Sequence, residues 1–131
     1  MIRFLALALL LFALSAGAAQ ARGDDRGGGG GEVRVAGSCG RGATASLRVR
    51  SDDGRIEVRF RLEQRRGRGL WRITAVHEQR ISFRATRRTT RSDRSFELRR
   101  RVADLPGSDT VAVHAWGPRG LGCRATATLP G

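Results

Sequence analysis

From Glu32 onward, hydrophobic and polar residues alternate along the chain with a period of two. The stretch RIEVRFRLEQ, residues 55–64, gives the clearest example. Its apolar positions are Ile56, Val58, Phe60 and Leu62, and its intervening positions are charged: Glu57, Arg59, Arg61 and Glu63. Strict alternation of this kind is typical of a β-strand that buries one face and exposes the other.

The same alternation recurs in segments separated by turn-forming residues. Eight segments follow it: 32–39, 44–51, 55–64, 71–78, 80–86, 94–105, 109–116 and 121–129. The turn sequences are SDDG at 51–54, RRGRG at 65–69, LPGSD at 105–109 and GPRG at 117–120. Asp53-Gly54 suits the positive φ angles of a tight hairpin. No stretch after Gly31 has a helical stripe, so about eight short strands predict an all-β, antiparallel β-sandwich.

Over residues 32–131 this pattern resembles the secreted immunoglobulin-like and fibronectin-type β-sandwich modules. The resemblance implies an antiparallel immunoglobulin-like sandwich of about eight strands. Two features depart from the immunoglobulin signature, because Trp71 lies 32 positions beyond Cys39 and the chain has no tyrosine for a tyrosine corner. The resemblance therefore concerns architecture, and no function is carried over from it.

The first 21 residues have the pattern of a secretory signal peptide. A basic start at Arg3 precedes the apolar run FLALALLLFALSA, residues 4–16, and Ala19-Gln20-Ala21 fits the cleavage pattern. A retained membrane anchor is the alternative, but a bilayer core needs roughly 20 apolar residues. We expect cleavage after Ala21, a secreted or extracytoplasmic location, and no transmembrane segment in the mature chain.

Residues 22–31, RGDDRGGGGG, contain no apolar side chain. A glycine run has a large entropy cost of ordering, so this segment is predicted to be a flexible linker. The β-sandwich domain is expected to occupy residues 32–131.

Two cysteines, Cys39 and Cys123, stand 84 positions apart. In an oxidising compartment an even pair favours a disulfide. A structural zinc site needs four ligands at close spacing, and neither His77 nor His114 completes such a set. We therefore predict one disulfide, no metal site and no cofactor.

The chain carries 25 basic residues, all of them arginine, against 12 acidic residues, a formal net charge of +13. Loss of residues 1–21 removes Arg3 and leaves a charge of +12. A GC-rich coding sequence explains why arginine replaces lysine, which is absent. It does not explain the excess of basic over acidic residues.

In an antiparallel sandwich, successive loops alternate between the two ends. This parity predicts one basic end, which also holds both cysteines, and one acidic end. The predicted ligand-binding residues of the basic end are Arg65, Arg66, Arg68, Arg87, Arg88, Arg91 and Arg94. The acidic end is expected to hold Asp52, Asp53, Glu78, Asp104 and Asp109 together with Arg80. A different role, protection of sheet edges against pairing, is assigned to the strand-face arginines Arg48, Arg50, Arg59 and Arg61.

No recognisable catalytic motif occurs: the chain lacks G-x-S-x-G, H-E-x-x-H and a Walker loop. His114 and Trp116 share a strand face and form the pair most like a site. We expect a non-catalytic exported binding module whose partner is an anionic polymer or the cell-envelope surface, bound through the arginine-rich end. The alternatives are a structural or protein-interaction module with passive arginines, and an enzyme with an unrecognised site. Nucleic acid is expected to bind only non-specifically, through net charge.

Overall fold

The computed structural model describes residues 31–131. The predicted signal peptide and residues 22–30 of the predicted linker lie outside this range. Nine strands and one 3₁₀ turn follow one another: β1 Glu32–Ala36, β2 Ser38–Cys39, β3 Ala43–Asp52, β4 Arg55–Gln64, β5 Gly69–His77, β6 Arg80–Thr89, β7 Ser95–Ala103, β8 Asp109–Trp116, the turn Pro118–Gly120, and β9 Gly122–Leu129.

The strands form two antiparallel sheets that pack face to face. The four-stranded sheet has the order β1-β3-β4-β7, and the five-stranded sheet has the order β2-β9-β8-β5-β6. The alternating apolar residues of both sheets meet in one core, where Leu47, Phe60, Trp71 and Ile73 are almost completely buried. Burying each such side chain contributes roughly 1.5–3 kcal/mol. The predicted all-β sandwich with a single disulfide is confirmed.

The first predicted strand is divided in two at Gly37. β1 pairs with β3 in one sheet, and β2 pairs with β9 in the other. The amide of Gly37 donates a 2.8 Å hydrogen bond to the carbonyl of Ala45. A Cβ atom at position 37 would lie 2.9 Å from the Cβ of Ala45, so only glycine permits this close crossing between the sheets.

Two tight hairpins have residues in the left-handed region. Asp53 and Gly54 have φ angles of 50° and 78°, as the sequence predicts. Glu78 and Gln79, between β5 and β6, have φ angles of 49° and 64° although neither is a usual residue for this turn. The carboxylate of Glu78 accepts a 2.6 Å hydrogen bond from the amide of Thr110, which anchors this hairpin to β8.

The disulfide joins the two strands that the sequence predicts. Cys39 is the residue paired with Cys123 in the β2–β9 ladder, and their Cα atoms lie 4.1 Å apart. A disulfide is compatible with an extracytoplasmic protein. Within residues 31–131, no helix has the length and apolar character needed to cross a membrane.

Candidate functional site

Hydrogen bonds between backbone groups and one arginine hold the loops at the basic end together. The backbone amide of Arg65 donates a 2.7 Å hydrogen bond to the carbonyl of Gly42. The backbone amide of Gln64 donates a 2.8 Å hydrogen bond to the carbonyl of Arg94. The guanidinium of Arg94 donates back to the carbonyl of Arg65 at 2.9 Å. The β2–β3, β4–β5 and β6–β7 connections therefore meet at one end, as loop parity predicts.

Seven exposed arginines lie in the loops and the 3₁₀ turn of this end, and we call them the arginine pole. They are Arg41, Arg65, Arg66, Arg68, Arg91, Arg94 and Arg119. Within residues 31–131, none of them lies within 4 Å of a carboxylate oxygen. Their positive charge is therefore not neutralised by this domain.

The predicted position of two arginines was wrong. Arg87 and Arg88 are not in a loop, because β6 continues to Thr89 and pairs them with Trp71 and Leu70 of β5. Strand pairing outweighs the weak strand preference of consecutive charged residues. Arg88 faces outward beside the pole, whereas Arg87 is half-buried on the inner side of an edge strand.

Two hollows lie among the arginine side chains. The larger, of about 530 Å³, is lined by Arg41, Gly42, Arg65, Arg66, Arg119 and Leu121. The smaller, of about 430 Å³, is lined by Arg68, Gly69, Arg88, Thr89 and Thr90. The larger hollow brings together arginines of three connections, and the smaller brings Arg68 of the β4–β5 connection next to Arg88 of strand β6.

A buried polar network supports the β4–β5 turn from below. The side-chain oxygen of Gln64 accepts hydrogen bonds from the indole of Trp71 at 3.0 Å and the hydroxyl of Thr89 at 2.6 Å. The amide nitrogen of Gln64 donates to the carbonyl of Arg66 at 2.8 Å. Because all three side chains are almost fully buried, this network fixes the backbone that carries Arg65, Arg66 and Arg68.

Space at the adjacent turn is equally restricted. A Cβ atom on Gly117 would lie 2.6 Å from the Trp71 indole, and one on Gly69 would lie 2.9 Å from Pro118. Gly117 therefore lies directly against the buried tryptophan, and Pro118 lies against Gly69. The Pro118–Gly120 turn that follows places Arg119 in the lining of the larger hollow.

Arginines on the outer face of the four-stranded sheet are in a different electrostatic state. The strand register aligns four of them across the sheet: Arg34, Arg48, Arg59 and Arg99. Like charges directly opposite one another destabilise a sheet, but glutamates from neighbouring rows insert between these guanidiniums. Glu57 is the centre of this arrangement, with only 4% of its side chain exposed.

Glu57 lies close to four guanidiniums. Its carboxylate oxygens lie 3.2 Å from Arg50, 3.3 Å from Arg59, 3.6 Å from Arg48 and 4.0 Å from Arg99. The hydrogen bond from Arg50 and the surrounding positive charge hold the pKa of Glu57 below its ordinary value, against the opposing effect of burial. The hydrogen bond to Glu57 and the negative charge of its carboxylate raise the pKa of Arg50.

The edge-protecting role predicted for Arg48, Arg50, Arg59 and Arg61 was wrong, because β3 and β4 are the interior strands of their sheet. The first three instead neutralise glutamates. Inward-pointing charges on the true edge strands are supplied by Arg87 of β6 and Arg100 of β7. The Arg100 guanidinium of β7 lies 5.9 Å from the ring centroid of Phe83 on β6, so a cation–π contact joins the edge strands of the two sheets.

At the opposite end of the sandwich, the fold assembles a His–Asp pair that the sequence did not reveal. Nε2 of His77 lies 2.7 Å from Oδ1 of Asp109, which is 32 residues away, and both side chains are buried. Glu78 brings a third potential metal-ligating oxygen within 4.8 Å. The Glu78 carboxylate accepts a hydrogen bond from the backbone amide of Thr110, and the Asp109 carboxylate accepts one from the backbone amide of Leu105. These contacts hold the β5–β6 and β7–β8 turns together.

The ring of His114 stacks on Trp116 with 3.8 Å between centroids and an interplanar angle of 28°. Both therefore share a strand face, as their spacing predicts, and Trp116 remains 47% exposed. Burial and the charge of Arg124 lower the pKa of His114.

The chain was compared with protein-family models, with curated proteins and with solved structures. No family model, curated protein or solved structure matches it. Any function must therefore be inferred from the arrangement of its own side chains.

Proposed function

We propose that this chain is an exported, non-catalytic binding module that holds anionic polymers, such as those of a cell envelope, through the arginine pole. One observation carries the proposal: the arginines around Glu57 on the four-stranded sheet are paired with glutamates, whereas those of the pole have no carboxylate partner within residues 31–131. The pole thus gathers seven arginines without carboxylate partners in loops that meet at one end of the sandwich.

The chemistry of arginine suits such a ligand. A guanidinium presents several N–H donors in a planar fork that matches phosphate, sulfate or carboxylate oxygens. The two hollows at the pole offer two groups of guanidiniums, and a polymer with repeating negative charge would contact both at once. Simultaneous contacts raise the overall affinity without any new type of interaction.

Charge-matched variants test whether position matters. In the pole variant, Arg65, Arg66 and Arg91 become serine; none of their side chains makes a hydrogen bond in the structure. In the control variant, Arg55, Arg61 and Arg80 become serine, because these lie spread over other surfaces and form no ion pair within residues 31–131. Each variant loses three positive charges, so the two have the same net charge.

Affinity for heparin and for a DNA duplex is measured across a range of salt concentrations. The pole variant should bind both probes more weakly than the control variant. For DNA, its slope of log affinity against log salt should decrease by about 0.7 to 0.9 for each lost phosphate contact. Equal losses in the two variants would contradict the proposal and favour a structural or protein-interaction module with passive arginines.

A further inference from the structure

The outer face of the five-stranded sheet has an unusual composition. The strand register directs four arginines to this face, which are Arg72, Arg84, Arg88 and Arg124. On strands β5, β6, β8 and β9, no aspartate or glutamate is directed to the same face. Unlike the four-stranded sheet, this surface is basic without internal neutralisation.

An exposed aromatic ring lies on this surface, at the end of the central strand β8. Trp116 is paired with Arg72 in the β5–β8 ladder, and its neighbour His114 is paired with Arg124 in the β8–β9 ladder. Because the His114 ring covers one side of the indole, the ring is held in place and only its remaining surface is available to a ligand. A fixed, half-exposed tryptophan is a low-entropy contact for a flat apolar group.

A groove runs beside this ring. It has a volume of about 710 Å³ and is lined by Arg72, Thr74, Arg84, Thr86 and Trp116, with Ile73 and Ala85 contributing to its floor. The groove therefore combines one aromatic surface, two hydroxyls and two guanidiniums. Its size is within the usual range for sites that hold small ligands.

We propose that this groove binds an acidic sugar ring of a carboxylated polysaccharide. The apolar C–H face of a pyranose would lie on Trp116, its hydroxyls would bond Thr74 and Thr86, and its carboxylate would be held by Arg72 or Arg84. Sugar is favoured over nucleic acid because a single aromatic ring with one side covered offers a platform for one ring only, whereas single strands use several stacked aromatics. The site uses no residue of the arginine pole.

The test uses a matched pair of probes, oligogalacturonate and its methyl ester, which differ in the charge of the carboxyl group. Binding is measured by isothermal titration calorimetry for every variant, and also by tryptophan fluorescence for those that keep Trp116, since Trp116 is 47% exposed and Trp71 is completely buried. We expect oligogalacturonate to change the fluorescence, and Trp116→Ala to weaken its binding at least about tenfold. Arg72→Gln or Arg84→Gln, whichever removes the guanidinium that holds the carboxylate, should remove most of the preference for the acid over the ester.

Arg61→Gln provides the control, because Arg61 is exposed on the outer face of the other sheet. It removes the same charge and should leave the acid-over-ester preference unchanged. Equal binding of acid and ester by the unmodified protein would overturn the proposal, as would full affinity in Trp116→Ala. Tighter, Trp116-dependent binding of oligo(dT) would overturn it in favour of nucleic acid. The pole variant should retain the fluorescence response, so this site and the proposed function can fail separately.

Discussion

Replacing Glu57 by glutamine removes one negative charge from the centre of the arginine network while keeping the shape of the side chain. Four guanidiniums then face one another without the carboxylate that lies within 4.0 Å of each. We expect the free energy of unfolding to fall, because like charges on adjacent strands repel.

The magnitude follows from where Glu57 lies. Breaking a pair inside a core costs roughly 3–5 kcal/mol, but Glu57 faces outward and is shielded only by arginine side chains that are themselves 18–57% exposed. An exposed pair contributes roughly 0.2–1 kcal/mol. With several pairs lost at once, we expect a decrease of about 2 kcal/mol, which for a domain of this size lowers Tm by about 8–16 °C.

Glu63→Gln is the matched control, since Glu63 is exposed on the same strand and forms no ion pair within residues 31–131. Thermal and urea unfolding at neutral pH should show little change for this variant.

The depressed pKa of Glu57 makes its stabilisation depend on pH. Its contribution to the free energy of unfolding is complete above the ordinary glutamate pKa of about 4.3 and is lost as pH falls through the lower folded value. Equal destabilisation by the two variants, or a Glu57→Gln effect that persists unchanged at low pH, would refute the reasoning.

Three further predictions concern the bridge, the support of the pole and His114. Reducing the Cys39–Cys123 bond should lower the unfolding free energy by about 4 to 5 kcal/mol in urea titrations, because the bond closes a long loop. Gln64→Ala should cost about 3 kcal/mol in the same assay, since it leaves the Trp71 indole without an acceptor, and should speed amide exchange in residues 65–68. Arg124→Ala should raise the pKa of His114 in an NMR titration, yet leave it below the ordinary value, because burial is the larger cause of its depression.

Local pattern was sufficient to predict much of the architecture. Alternation places Ile56, Val58 and Phe60 in the core, Asp53-Gly54 forms its hairpin, and loop parity brings both cysteines and the arginine loops to one end. These features depend on the two-residue period of a strand and on the direction of successive strands. Both can be read from neighbouring residues.

Features that depend on contacts between distant residues could not be predicted in this way. The Glu57 network depends on the register of β3, β4 and β7. The His77–Asp109 contact joins two residues that are 32 positions apart in the sequence. Gly37 is special only because Ala45 passes within van der Waals distance of it. The extension of β6 through Arg87 and Arg88 likewise depends on pairing with β5.

The central claim is that polyanions bind where arginine charge is uncompensated and not where it is paired with glutamate. Titration of ¹⁵N-labelled protein with a short inorganic polyphosphate, which has no acidic sugar ring for the groove beside Trp116, tests this claim most directly, because side-chain Nε–H signals report on each arginine separately. The account predicts shifts for Arg65, Arg66 and Arg91 at low ligand concentration, with Arg48 and Arg59 unaffected. Shifts of equal size at the Glu57 network would contradict it.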